Sequence, residues 1–166
     1  MTAEIVGPRG DEKNGCRQEW LGYLNTLNKK SLFTSYRRNR FNNVFFNATA
    51  LLYHLDDLKT FLKDYVSHSN NKLESILLDL EDNILMFVAA LSFFNEMLTE
   101  AYWDLMQSNR PYGQFLGYVS LMEKALKSWL ADDFEPLNSS PVFEDFAPST
   151  PLFRDISEMP VTMDFK

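Results

Sequence analysis

A chain of 166 residues that is 45% hydrophobic and 14% aromatic has enough apolar mass for one core, which excludes a chain that stays disordered throughout. A single cysteine, Cys16, excludes an internal disulfide framework, and no N-terminal run has the order of a secretory leader, so the expected setting is intracellular, cytoplasmic or nuclear. The net charge of -7 is concentrated in residues 131–166, where Asp132, Asp133, Glu135, Glu144, Asp145, Asp155, Glu158 and Asp164 face only Arg154 and Lys166; the remainder is near neutral.

Residues 1–14 hold Gly7-Pro8 and Gly10 and no periodic apolar face, which predicts a disordered lead. A helical part follows over 15–131, interrupted only by Pro111. Its first helix is expected at about 16–28, with Trp20, Leu24 and Leu27 on one face. Next comes a basic segment, Lys29, Lys30, Arg37, Arg38 and Arg40, interleaved with Phe33, Tyr36 and Phe41. Such cations can contact phosphates and such aromatics can stack on bases. The plainer reading is a solvated connection whose aromatics belong to the core.

The second helix is expected from position 39 or 41 to about 66, with Phe41, Phe45, Ala48, Leu52, Leu55, Leu62 and Val66 in steps of three and four. Lys59 interrupts that face, and Leu58 is expected to replace it. His54 reads as a polar-face or half-buried histidine, and Asp56-Asp57 as a solvated face. The turn-forming residues of Ser67-His68-Ser69-Asn70-Asn71 then predict a reversal.

A third helix is expected over 71–108. Leu73, Leu77, Leu80, Ile84, Phe87, Leu91, Phe94, Leu98, Ala101 and Leu105 step by fours and threes, and all are apolar. That pattern, the repeat of a coiled coil, predicts one buried seam. Ser108-Asn109-Arg110-Pro111 ends the helix. A fourth is expected to run to about Leu130 on Phe115, Val119, Met122, Leu126 and Trp129. The fold class is therefore all-α: an up-and-down bundle of about four helices with one long central helix, followed by an acidic, proline-containing tail. Any overhang of the long seam needs a cover, either the tail or a second copy of the chain.

The chemistry the sequence lacks narrows the function. The histidines are His54 and His68 alone, and neither follows a Glu by three residues, so neither a di-iron pattern nor a structural zinc site is expected. No phosphate-binding glycine loop or nucleophile elbow occurs. The expectation is a non-enzymatic protein with no cofactor and no metal. Gly113 and Gly117, four apart, suggest a close helix approach. The most apolar run, Ile84 to Phe94, falls short of the ~20 residues a membrane span needs. Asn47-Ala48-Thr49 and Asn138-Ser139-Ser140 match the glycosylation acceptor pattern and carry no weight without a secretory route.

The tail over 132–166 alternates acidic and apolar residues, a composition suited either to short-motif recognition by a partner protein or to folding back on the bundle. Phe134, Leu137, Phe143, Phe146, Leu152 and Phe153 are the candidate partner-binding anchors; Lys29, Lys30, Arg37, Arg38 and Arg40 form a possible basic contact site. Asp132-Asp133-Phe134-Glu135-Pro136-Leu137 resembles the interaction motif of autophagy receptors, with Phe134 and Leu137 as anchors. Asn109-Arg110-Pro111-Tyr112-Gly113-Gln114-Phe115 is similar to the Asn-Trp-Gly-Arg signature of the Bcl-2-like helical regulators, with Tyr in place of Trp and Gln in place of the arginine that would pair with a ligand's acid. The expected function is a protein-protein adaptor or regulator. A nucleic-acid-binding bundle is the alternative from a different class, and a Bcl-2-like regulator a further one.

Overall fold

Trp20 and Leu24 lie one helical turn apart on α1 (Arg17–Thr26), and both are fully buried. Leu27, expected on the same face, is exposed because it is the residue at which the helix stops and the backbone changes direction. The computed structural model describes residues 2, 6–8, 16–35, 42–66, 76, 82–108 and 111–131. Every regular element among them is helical. The arrangement expected for residues 132–166, and for Arg37, Arg38 and Arg40, lies outside the described residues.

The expected second helix is two helices, α2 (Asn42–Tyr53) and α3 (Leu55–Val66), which meet at His54. Hydrogen bonding carries across the junction: the His54 N–H donates to the Ala50 carbonyl at 3.1 Å, and its carbonyl accepts from the Leu58 N–H at 2.7 Å. The apolar stripe runs through the junction, with Ala48, Leu52, Leu55, Leu58 and Leu62 all buried. Leu58 takes the place that Lys59 leaves, because one residue is a rotation of about 100° and the next row lies within reach of the same neighbours.

The long helical stretch comprises α4 (Asp82–Phe94), a π-helical turn (Asn95–Thr99) and α5 (Glu100–Gln107). The single seam expected along it is not buried as one stripe. In α4 the buried residues are Leu85, Ala89, Ser92 and Phe93, while Ile84 and Phe87 of the expected seam are exposed. Beyond the π turn, Leu98, Ala101 and Leu105 are buried as expected. The buried face changes because α4 packs on α2, whereas α5 packs on α6 (Tyr112–Ala131). The wider turn lies between the two halves. Thr99 fits it by donating its hydroxyl to the Phe94 carbonyl, 3.1 Å away, and the Glu100 N–H donates to the Asn95 carbonyl.

Two apolar clusters result. The first gathers Trp20, Leu24, Phe33, Ala50, Leu55, Leu58, Phe61, Leu62 and Leu85 with Val6 and Ile76. Val6, within the lead expected over 1–14, has its apolar side chain fully buried in this cluster. The second gathers Phe93, Leu98, Ala101 and Leu105 with Tyr118 and Ala125. Phe115, Val119, Met122 and Leu126 of the expected α6 seam pack against it, half-buried. Tyr118 is fully buried, and its hydroxyl donates to the Leu98 carbonyl of the π turn at 2.9 Å. Burial pushes the Tyr118 phenol up to about 12, with nearby Tyr102 adding to the effect. Gly113 and Gly117 do not mark a close approach, since a Cβ at either would meet nothing within 4 Å.

Leu58→Ala is expected to cost about 2–5 kcal/mol in denaturant-induced unfolding, whereas Lys59→Ala next to it stays within about 0.5 kcal/mol. Gly117→Ala should add about 0.5–1 kcal/mol, because the helix gains propensity and nothing is displaced.

Candidate functional site

The segment 27–35 between α1 and α2 has no regular structure, so its backbone polar groups need other partners. It begins with a Schellman closure of α1. Asn28 adopts a left-handed φ of 56°; its N–H donates to the Asn25 carbonyl at 3.1 Å, and the Lys29 N–H donates to the Leu24 carbonyl at 3.0 Å. Asn tolerates that conformation better than other residues with a Cβ. The closure turns the chain toward α3, where Lys29 Nζ meets Asp57 Oδ2 at 2.6 Å.

Beyond Lys29 the connection is held by side chains of the flanking helices. The Trp20 indole N–H donates to the Ser31 hydroxyl at 3.3 Å, and the Leu32 N–H donates to His54 Nε2 at 3.3 Å. The Thr34 N–H donates to Asn47 Oδ1 at 3.0 Å, while Asn47 Nδ2 donates to the Thr34 hydroxyl and to the Asn43 carbonyl. Asn43 Nδ2 donates to the Ser35 carbonyl at 2.9 Å. Asn47 and Thr49 are buried and engaged in the fold, so the Asn47-Ala48-Thr49 pattern is a core feature.

His54 lies at the centre of this arrangement. It is fully buried rather than half-buried, ringed by Trp20 and Tyr53 edge-on and by Phe33 in a stack. Accepting from Leu32 requires a bare Nε2, which assigns the proton of the neutral ring to Nδ1. Nδ1 is 3.7 Å from Asp57 Oδ2, beyond hydrogen-bond reach. Burial lowers the His54 pKa below its usual value; the Asp57 carboxylate opposes this, and the Lys29 charge reinforces it. Asp57 is therefore no part of a solvated face, while Asp56 is exposed. The ion pair with Asp57 holds the Lys29 pKa above its ordinary value.

The structure thus divides the expected basic contact site. Lys29 is tied to Asp57, Lys30 is exposed, and Phe33 is buried in the first cluster. The partner-binding anchors Phe134, Leu137, Phe143, Phe146, Leu152 and Phe153 lie outside the described residues. The apolar surface that sequence reasoning missed is on α4 and α6. Phe87 is 72% exposed and Leu130 is 79% exposed, and Ile84, Met86 and Leu116 are also open to solvent. Among the described residues no group of three or more His, Cys, Asp or Glu is placed to hold a metal ion.

Comparison with known protein families, with curated proteins and with solved structures finds no match to this chain.

Asn28→Val should cost about 1–2 kcal/mol of stability, because a β-branched residue resists left-handed backbone, whereas Asn28→Gly should be neutral or stabilising in the same unfolding assay.

Proposed function

We propose that the chain is a non-enzymatic, intracellular interaction protein. In this reading its helices form an up-and-down bundle over 15–131 that docks a protein partner or a second copy of itself. Its acidic tail offers Phe134, Leu137, Phe143, Phe146, Leu152 and Phe153 as anchors for a partner's groove. The observation that carries the reading is the exposed apolar surface of α4, where Ile84, Met86 and Phe87 are open to solvent. Each large apolar side chain left in water forgoes about 1.5–3 kcal/mol, so a surface that retains several is suited to being covered. The tail supports the same reading by composition, since acidic residues keep apolar anchors in solution until a groove receives them.

By length and composition, Ile84–Gln107 passes as a helix that could cross a membrane. We read it instead as a helical stretch of the fold with one face packed and the other open. Ser92, Asn95 and Glu96 are buried along it, and the Ser92 hydroxyl donates to Thr49 on α2 at 3.1 Å, a contact between helices within the fold. The nucleic-acid alternative has less support, because Lys29 is engaged with Asp57 and Phe33 is committed to the core.

Two experiments test the proposal. Phe134→Ala with Leu137→Ala, or Phe143→Ala with Phe146→Ala, should reduce capture of specific partners at least about tenfold in quantitative pull-downs and leave the melting temperature unchanged. A fall in melting temperature with capture intact would make those side chains core and overturn the tail's role. Phe87→Glu should leave the fold intact and abolish docking on α4, read as loss of self-association in sedimentation or loss of partner binding.

A further inference from the structure

The contact between Leu32 and His54 is the place where the 27–35 connection is held by an imidazole, a group that can take up a proton on mild acidification. We propose that His54 is an acid-sensitive latch: the neutral ring holds the Leu32 amide, and protonation at Nε2 releases the connection, with Lys29 and Lys30, from α2 and α3. The geometry carries this. The Leu32 N–H points at Nε2 from 3.3 Å. A proton added there sets two donors against each other, and the bond has no protonated form. The ring is fully buried among Trp20, Phe33 and Tyr53, so an imidazolium in place would be poorly solvated.

The charged and titratable groups around the ring come from each flanking element. Asp57 stands in the first turn of α3, Lys29 on the connection itself, Tyr53 on α2 and Tyr23 on α1, and Cys16 belongs to the same buried cluster. Two groups favour an imidazolium, the Asp57 carboxylate and the Lys30 backbone carbonyl, but Asp57 Oδ2 already takes Lys29 Nζ at 2.6 Å. Lys29 therefore biases the latch toward neutral and closed. The other tethers, at Ser31, Thr34 and Ser35, use hydroxyl, amide and indole groups that do not titrate near neutral pH, so the release is confined to the part of the connection around Leu32.

The sign follows from burial. The His54 pKa is lowered in the closed state from 6.5, so the closed state binds the proton less well than the open one. The stabilisation is complete above the unfolded value of about 6.5 and is lost as pH falls toward the lowered, closed-state value.

Amide hydrogen exchange on the full chain, corrected for the intrinsic exchange rate, tests this. Between pH 7.5 and 5.5, Leu32 protection should fall by up to about tenfold relative to the amide of buried Tyr118. His54→Gln, which keeps an acceptor near the Nε2 position and does not titrate, should show no such fall. Lys29→Met frees Asp57 to hold a proton on the closed ring, so the His54 ring resonances should titrate at higher pH than in the wild type and the fall in Leu32 protection should shrink, because the closed and open states then bind the proton more equally. Because Lys29 is at the surface, this variant keeps the experiment decisive even where His54→Gln fails to fold. Leu32 protection that does not change with pH, or that falls equally in His54→Gln, would overturn the proposal. So would a fall in Leu32 protection in Lys29→Met as large as the wild type's.

Discussion

An α-helix that keeps its regular 3.6-residue repeat presents one face along its length, yet the longest helical stretch of this protein is buried against different neighbours in its two halves. α4 lies on α2, and α5 lies on α6. The π turn Asn95–Thr99 stands where one face gives way to the other. A wider turn loosens the backbone hydrogen bonding that an α-helix would complete, and local side chains respond to it. Thr99 donates to the Phe94 carbonyl and to Asn95 Oδ1, and the Tyr118 hydroxyl reaches the Leu98 carbonyl. This last bond gives buried Tyr118 a partner for its only polar group, which an interior phenol requires.

A second constraint is the line of polar side chains inside the apolar core. Thr49 donates its hydroxyl back to the Phe45 carbonyl and accepts from Ser92, and both residues are buried. The net worth of such a bond is only about 1 kcal/mol. Its larger effect is on register, because sliding α4 along α2 would take the buried Ser92 hydroxyl from its partner in a low-dielectric interior, whereas Thr49 would keep its bond to Phe45. Asn47 acts similarly for the 27–35 connection, where one side-chain amide accepts from the Thr34 N–H and donates to its hydroxyl and to the Asn43 carbonyl.

What could be read from the sequence depended on whether one period governed the segment. Leu58 could replace Lys59, and Trp20 could pair with Leu24, because short amphipathic helices leave little choice of face. Pro111 marked the start of α6 because a proline is tolerated at a helix beginning. From Ile84 to Leu91 every residue is apolar, so a helix was legible but its phase was not. Steps of three and four fit several rows equally well, and such counting cannot register a π turn. The Lys29–Asp57–His54 arrangement was hidden for another reason. Its members meet through a turn and across a sequence separation of 28 between Lys29 and Asp57, a separation with no periodic signature. Asn28 could have been found, since Asn just past an amphipathic stretch is a known helix stop. The tail anchors rest on composition alone, which speaks of solubility and stickiness and not of position.

The two apolar clusters also divide the chain almost in sequence order: the first draws on residues from Val6 to Leu85, the second on residues from Phe93 to Ala125. α4 belongs to both, with Leu85 in the first and Phe93 in the second, and its packing on α2 is the most extensive between any two elements. The outer helices differ from it in this respect, since among the described residues α1 enters only the first cluster and α6 only the second. A disturbance at α1 or α6 therefore acts on one cluster directly, whereas one that shifts α4 on α2 acts on both.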